Sequence, residues 1–517
     1  MKNVSWVLLF LIFSCNPPQK VLSQNKSSKK EANPTVYAQT ITENELKDHL
    51  YVYASDEFEG RETGSEGQKK AVAYLKSHYQ SLGIPAAKSD GDYFQKVPLQ
   101  KSSVPIGNIS INGKEFTIGE SAVSFAAATG NYSEILYLGY GIEEGTYSDY
   151  SAIDVTDKIV LIKSGEPKNE DGTYTLSGSN RSSIWSNMSE AVGKKSKLAL
   201  EKGAKGVLYF DSENYARYSQ YYTFIENSTN HRMSLLDENN TTLLVVLNLE
   251  AAKSLLPDIE SDTIPKTVKT NLKFTIENTG IVDSENVIAF LKGTEKPDEY
   301  LVISSHLDHI GVTQDGQINN GADDDGSGSV ALLEIAEAFK KAKDEGNGPK
   351  RSVIFLHVTG EEKGLLGSKY YTDYDPIFPL EQTVTNLNID MIGRIDPNRI
   401  GDRNYIYLIG SNKLSTELHD LSEAVNEKYM QLELDYKYND ENDPNRFYYR
   451  SDHYNFAKNN IPIIFYFNGT HEDYHQPGDT PDKINYDLLE SRTRLVFYTA
   501  WEVANREKRV AVDKPTE

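Results

Sequence analysis

The chain has 517 residues, of which 38% are hydrophobic and 25% charged, and a formal net charge of −22. That length is more than one ordinary core uses, so it predicts two or more domains. The acidic balance argues against a nucleic-acid partner, whose phosphates require basic surface, and favours the capture of cations.

The first residues read as a processing segment. A lysine-bearing start is followed by the apolar run "VLLFLIF", too short to span a bilayer as a stable helix. The next stretch, "IFSC", resembles the lipobox of bacterial lipoproteins, with Cys15 as the lipidated new N-terminus. Cys15 is the single cysteine of the chain. Residues 1–15 are therefore expected to be a signal peptide and 16–35 a polar tether. The protein is expected to be exported, held at a periplasmic or outer-membrane surface by its lipid or, failing that, secreted. No cysteine is left for a disulfide or a thiolate metal site.

Folded structure is predicted from "TITENELKDHLYVYAS" onward. Thr42 and Glu45 have capping-box spacing, and Ile41 and Leu46 have hydrophobic-staple spacing. A second helix carries Ala71, Val72, Tyr74, Leu75 and Tyr79 at helical intervals and ends at Gly83. From about residue 116 the texture shifts to short β-like runs, "EILYLGYG", "KIVLIKSG", "KGVLYF" and "TTLLVVLNL", with the helix-like "KKSKLALEKGA" among them. This predicts a mixed domain over 116–268. After about residue 275 apolar strands alternate with helices: "EYLVISSH", "SVALLEIAEAFKKAK", "RSVIFLHVTGEE", "TVTNLNIDM", "STELHDLSEAVNEKY", "IPIIFYFNGTHEDYH", and a last helix from about Tyr486 to Asn505. Such alternation predicts an α/β fold, a mixed and mostly parallel sheet with helices on both faces. Leu332, Leu333, Ile335 and Phe339 are expected in its core.

The chemistry gathers where the apolar runs end. His306 and Asp308 follow one strand, Glu361 and Glu362 another, Asp390 a third, and His475 a fourth after a short loop. In α/β sheets ligands bind beyond the carboxyl ends of strands. Three adjacent carboxylates, Asp323, Asp324 and Asp325, sit in "NNGADDDGSGS" at the entrance to a helix. Like charges so crowded call for a cation. Spacing rules out an EF-hand, which would need an acid at Gly321 and a glutamate at Leu332. Histidines and carboxylates without thiolate suit zinc or a similar divalent ion. Two ions sharing one carboxylate would account for the surplus of acids and would activate water for hydrolysis. Of the tandem glutamates, one could ligate while the other stays free as a general base.

The motifs "SSHLDHIG", "NNGADDDGSGS", "TGEEKGLLGS", "NIDMIGR", "YRSDHYNF" and "DYHQPGDTPDKI", in that order, resemble those of the M28 zinc peptidases. "SDEFEGRETGSEG" resembles the segment near the start of such domains. The resemblance implies a peptidase domain made of residues 36–115 and 275–508 and two zinc ions bridged by Asp324. It further implies that His306 and Asp390 complete one ion and Glu362 and His475 the other, with Glu361 as general base and Asp308 orienting His306. The substrate implied is a peptide. The region 116–268 resembles a protease-associated (PA) domain.

An aminopeptidase is the favoured reading. A carboxypeptidase or glutaminyl cyclase on the same scaffold stays open, with Arg394 and Arg450 as candidate partners of a terminal carboxylate. So does a non-catalytic receptor that uses the PA-like domain. His357 is expected to be a satisfied core histidine. His309 is divided between supporting the site and a solvent-facing loop. Asp452 and His453 are expected to support the pocket wall. Tyr448 or Tyr449 could donate to a developing oxyanion, but in a chain with 33 tyrosines most must be structural or surface.

Overall fold

The computed structural model describes residues 32–228, 232–236 and 243–514. Cys15, the signal segment and the tether up to residue 31 lie outside the described residues. The first helix among the described residues is the short Pro34–Ala38, capped by Asn33. Its Tyr37 donates a hydrogen bond to Glu345, 2.9 Å away. Helix α1, Glu43–Tyr53, opens as its spacing predicts: the Thr42 hydroxyl accepts from the Glu45 N–H and donates to the Glu45 carboxylate at 2.7 Å. Helix α2, Glu66–Leu82, ends on Gly83, whose φ of 67° a glycine adopts without strain.

The larger sheet has nine strands, labelled in chain order: β1 Phe94–Lys101, β2 Met233–Leu235, β3 Ile281–Leu291, β4 Lys296–His306, β5 Arg351–Val358, β6 Thr383–Ile389, β7 Tyr405–Ile409, β8 Glu433–Asp435 and β9 Ile463–Phe467. In space they run β2-β1-β3-β5-β4-β6-β9-β7-β8. The middle of the sheet, β5-β4-β6-β9, is parallel throughout. The pairs toward β2, and β9 with β7, are antiparallel. The sheet is therefore mixed, with its parallel pairings concentrated at the centre rather than dominating the whole. Strands β5, β6 and β9 are buried along their full length, as a sheet covered on both faces requires.

Alternation along the strands assigns the two faces. Leu301, Ile303, Val353 and Phe355 pack with α1, α2, helix α3 (Gly328–Asp344) and the last helix, α4 (Tyr486–Asn505). Val302, Ile354 and Leu356 face the opposite side, toward Tyr371 and Phe456. Leu332, Leu333, Ile335 and Phe339 are fully buried. Phe339 has its ring 5.1 Å from that of Phe497 and 5.8 Å from that of Trp501. Phe339→Ala is expected to cost about 3–5 kcal/mol of stability. Denaturant unfolding checks this; a loss under about 1 kcal/mol would show that the cavity collapses and that the contact is dispensable.

A second sheet has eight strands, in the spatial order Lys114–Thr117, Ile106–Ile111, Lys266–Glu277, Ala128–Tyr137, Ile159–Lys163, Gly206–Phe210, Leu243–Leu247, Ala122–Ser124. It has its own hydrophobic core. Its strands start at Ile106 and end at Glu277, so both ends fall outside the span 116–268 expected from sequence. The reason is the strand Lys266–Glu277. Its alternation of buried Thr270, Leu272, Phe274 and Ile276 with exposed polar residues makes it a half-buried strand, and it pairs with both Ile106–Ile111 and Ala128–Tyr137. One strand departs from this division: β2, from the middle of the segment, joins the edge of the larger sheet beside β1. Among the described residues no helix is long and apolar enough to cross a membrane.

Candidate metal centre

Strands β4, β5, β6 and β9 are parallel neighbours, so their carboxyl ends form one rim. The register places His306, the last residue of β4, opposite Val358, the last of β5. Glu361 and Glu362 follow three and four residues later. Asp390 comes directly after β6, and His475 after a loop from β9.

The three consecutive aspartates do three different jobs. The Asp325 carboxylate accepts from the main-chain N–H groups of His306, Gly328 and Met391, at 3.1, 2.9 and 3.1 Å. Asp323 accepts from the Gly393 N–H at 2.6 Å and stands 3.2 Å from His471 Nε2. These two acids stitch the strand ends together and leave the centre to Asp324. There Oδ1 lies 3.1 Å from His306 Nε2, and Oδ2 lies 3.1 Å from His475 Nε2. His306 Nε2 is also 3.6 Å from Asp390 Oδ1, and His475 Nε2 is 3.1 Å from Glu362 Oε2. Each Asp324 oxygen therefore faces a separate group of donors: His306 and Asp390 on one side, His475 and Glu362 on the other.

The loop bearing Asp324 is fixed from several sides. Its N–H and that of Asp323 donate to buried Asp479. Arg61, itself buried, donates to the carbonyls of Asn320 and Gly321 at 2.7 and 2.9 Å. Gly321 has φ 57°, and a Cβ there would lie 2.3 Å from the Asp324 carbonyl oxygen, so only glycine serves. Asp390 is aimed by a relay in which Ser304 donates to Asn388, Asn388 to Ser451, and Ser451 to Asp390 at 2.6 Å.

These donor groups fit divalent zinc. Two atoms bound to one tetrahedral zinc at 2.0–2.1 Å stand about 3.3 Å apart, and the four pairs above span 3.1–3.6 Å. His306 Nε2, Asp324 Oδ2 and His475 Nε2 are buried polar atoms without a hydrogen-bond partner among the described residues, which a metal ligand explains. Burial alone would raise the Asp324 carboxyl; the imidazoles of His309, His306 and His475 instead hold it well below the usual carboxylate range.

Asp308 departs from its expected geometry. His306 Nδ1 is bonded to the Asp308 main-chain carbonyl at 3.0 Å, whereas the carboxylate is 4.0 Å away. The carboxylate accepts instead from Thr63 at 2.7 Å and from the Glu361 N–H at 3.2 Å, so it anchors the loop carrying the tandem glutamates. No hydrogen bond or ion pair among the described residues engages the Glu361 carboxylate. Burial pushes that carboxyl well above its usual range; the charges of Glu362, Asp390 and Asp452 add to the effect and His306 opposes it.

Glu361, Asp324 and Asp390 line a narrow pocket together with Met391, Phe447, Phe465, Phe467, Thr470, Tyr474 and Arg450. The aromatic donor at this pocket is Tyr474, stacked on His475 with ring centroids 3.9 Å apart. Tyr448 and Tyr449 line a different cavity. Adjacency to His475 in "DYH" was the signal that could have singled out Tyr474. Arg394 is buried and paired with Asp473 at 2.9 Å, whereas Arg450 is exposed and has no carboxylate partner among the described residues. His357 is a satisfied core histidine, bonded to Tyr79 and Ser305. His453 stacks on Phe465 behind the pocket, and Asp452 accepts from Ser368. His309 is fully buried, which removes the solvent-loop reading. Arg61, Thr63, Ser451 and Asp479 carry no role that sequence spacing assigns; each acts through a partner distant in sequence.

The model of Peptidase family M28 matches residues 286–500. The chain is 33% identical over 120 residues to a probable glutamate carboxypeptidase LAMP1 of Arabidopsis thaliana, a match covering 23% of this chain and 16% of that one. It is 28% identical over 246 residues to leucine aminopeptidase 2 of Arthroderma otae, covering 43% and 45%. The chain thus spans less than half the length of these curated relatives. Among solved structures it is similar to an aminopeptidase from Aneurinibacillus sp. strain AM-1, with TM-score 0.45 and 18% identity over 94% of this chain and all of that one.

Proposed function

We propose that the chain is a zinc-dependent exopeptidase, an aminopeptidase that removes N-terminal residues from peptides with two ions sharing Asp324. The observation that carries this is the meeting of two donor groups on the two oxygens of one aspartate, with an unengaged glutamate beside them. The family match over 286–500, which holds every residue of the two groups, and the aminopeptidases among the relatives support the same reading.

His306 and Asp390 would hold one ion and Glu362 and His475 the other. When bound, such ions supply Lewis acidity to the scissile carbonyl and to the attacking water. Glu361, whose carboxylate no neighbour among the described residues engages, takes the proton from that water and returns it to the leaving amine. Tyr474, which lines the same pocket, would donate to the oxyanion. Phe447, Phe465, Phe467 and Met391 form a wall for an apolar side chain.

A carboxypeptidase is the second reading, and Arg450 is the observation in its favour, as an exposed guanidinium at the pocket that a terminal carboxylate could meet. A panel of peptides with free or acetylated N-termini and free or amidated C-termini separates the two. An aminopeptidase cleaves free-amine peptides whatever their C-terminus and loses activity on acetylated ones. Equal cleavage of acetylated peptides, with loss on amidation, would replace the first reading by the second.

A further inference from the structure

We propose that His309 is a positioning residue for Glu362: its Nδ1–H holds Oε1 and leaves Oε2 alone to face the second ion. The inference rests on the two-ion reading above and assigns a role within it.

His309 Nδ1 lies 2.8 Å from Glu362 Oε1 and 3.7 Å from Asp324 Oδ2, so this imidazole and the two acids could be taken for a ligand set in their own right. The distances argue otherwise. Two ligands on one tetrahedral zinc stand about 3.3 Å apart, whereas 2.8 Å is the length of a hydrogen bond from N–H to a carboxylate. Nδ1 and Oε1 are therefore donor and acceptor. The other oxygen, Oε2, keeps a ligand-like 3.1 Å from His475 Nε2, which is in turn 3.1 Å from Asp324 Oδ2. His309 Nε2 is buried with no partner among the described residues, which places the ring proton on Nδ1.

The ring cannot readily turn away from this task. The His309 main-chain N–H donates to the Arg61 carbonyl at 3.2 Å. A Cβ on Gly321 would lie 2.6 Å from His309 Cδ2, so the ring packs directly on that backbone. The His475 ring meets it edge-on, with centroids 5.7 Å apart. Holding one oxygen fixes the carboxylate plane, so Glu362 offers a single lone-pair direction without rotating into a two-oxygen grip on the ion. Partners that orient a ligand in this way are worth about 10–100-fold in metal affinity.

The test compares wild type with His309→Ala, His309→Asn and His309→Gln. Zinc affinities are measured by competition with a chromophoric chelator, and imidazoles per zinc are counted by X-ray absorption. Asparagine can place an amide N–H where Nδ1–H stands; glutamine, one carbon longer, cannot. The alanine and glutamine variants should bind one of their two ions about 10–100-fold more weakly, keep the wild-type imidazole count when saturated, and leave the other ion unchanged. Asparagine should restore most of the loss. Asparagine no better than glutamine, or a lower imidazole count in any variant, overturns the proposal. Should wild type take up no second ion, the two-ion reading falls and this one with it. Should wild type bind two ions and alanine bind them equally well, only the role of His309 falls.

Discussion

Glu361→Gln is expected to bind zinc as wild type does and to lose about 10²–10⁴-fold in kcat, the range by which a positioned acid–base group contributes. The substitution keeps the length and shape of the side chain, and the main-chain N–H of residue 361 still has the Asp308 carboxylate to donate to. None of the contacts among His306, Asp324, Asp390, Glu362 and His475 involves the Glu361 carboxylate, so the metal groups should survive. What disappears is the one carboxyl at the pocket, among the described residues, that is not already committed to a donor group, and with it the proposed proton shuttle between water and leaving amine. The measurement pairs steady-state kinetics with zinc content on one preparation. A metal-replete variant with wild-type turnover would remove Glu361 from the mechanism, whereas a metal-depleted variant would recast it as a ligand.

The second large effect is expected at Asp324. Asp324→Asn keeps the main-chain bond to Asp479 and the size of the side chain but removes the negative charge and one acceptor oxygen. Because Oδ1 serves the group of His306 and Asp390, and Oδ2 the group of Glu362 and His475, one substitution should weaken both ions together and abolish activity. Asp390→Asn touches only one group and should weaken one ion. Zinc content after dialysis against a mild chelator checks this contrast. Loss of a single ion from Asp324→Asn would mean that the aspartate does not serve both.

Much of this site was legible in the sequence because its chemistry lies at strand ends. A run such as "YLVISSH" announces both a buried strand and the residue at its tip, and parallel neighbours bring such tips together. The order of motifs did the rest. Less legible was anything decided by side-chain direction. Nothing in "ADDD" says that Asp323 and Asp325 turn to main-chain N–H groups while Asp324 faces the donors. Nor does spacing reveal that Asp308 reaches His306 through its carbonyl, or that Thr63 and Arg61, more than 240 residues upstream, hold the loops in place. Tyrosines were hard to sort for a similar reason: 33 of them dilute any signal from one, and only the fold separates Tyr474 from Tyr448 and Tyr449. The limits of the second sheet were missed because Lys266–Glu277 is mostly polar, seven of its twelve residues being Lys, Thr or Asn, and its strand character shows only with its partners.

In the proposed site, side chains from four strand ends hold a pair of divalent ions across one aspartate. Zinc analysis of the purified full-length protein, joined to X-ray absorption at the zinc edge, tests it most directly. Two ions per chain are expected, each with one imidazole, and a metal–metal distance of about 3.5–4 Å. A single zinc with both imidazoles bound to it, or no stoichiometric zinc at all, would contradict it.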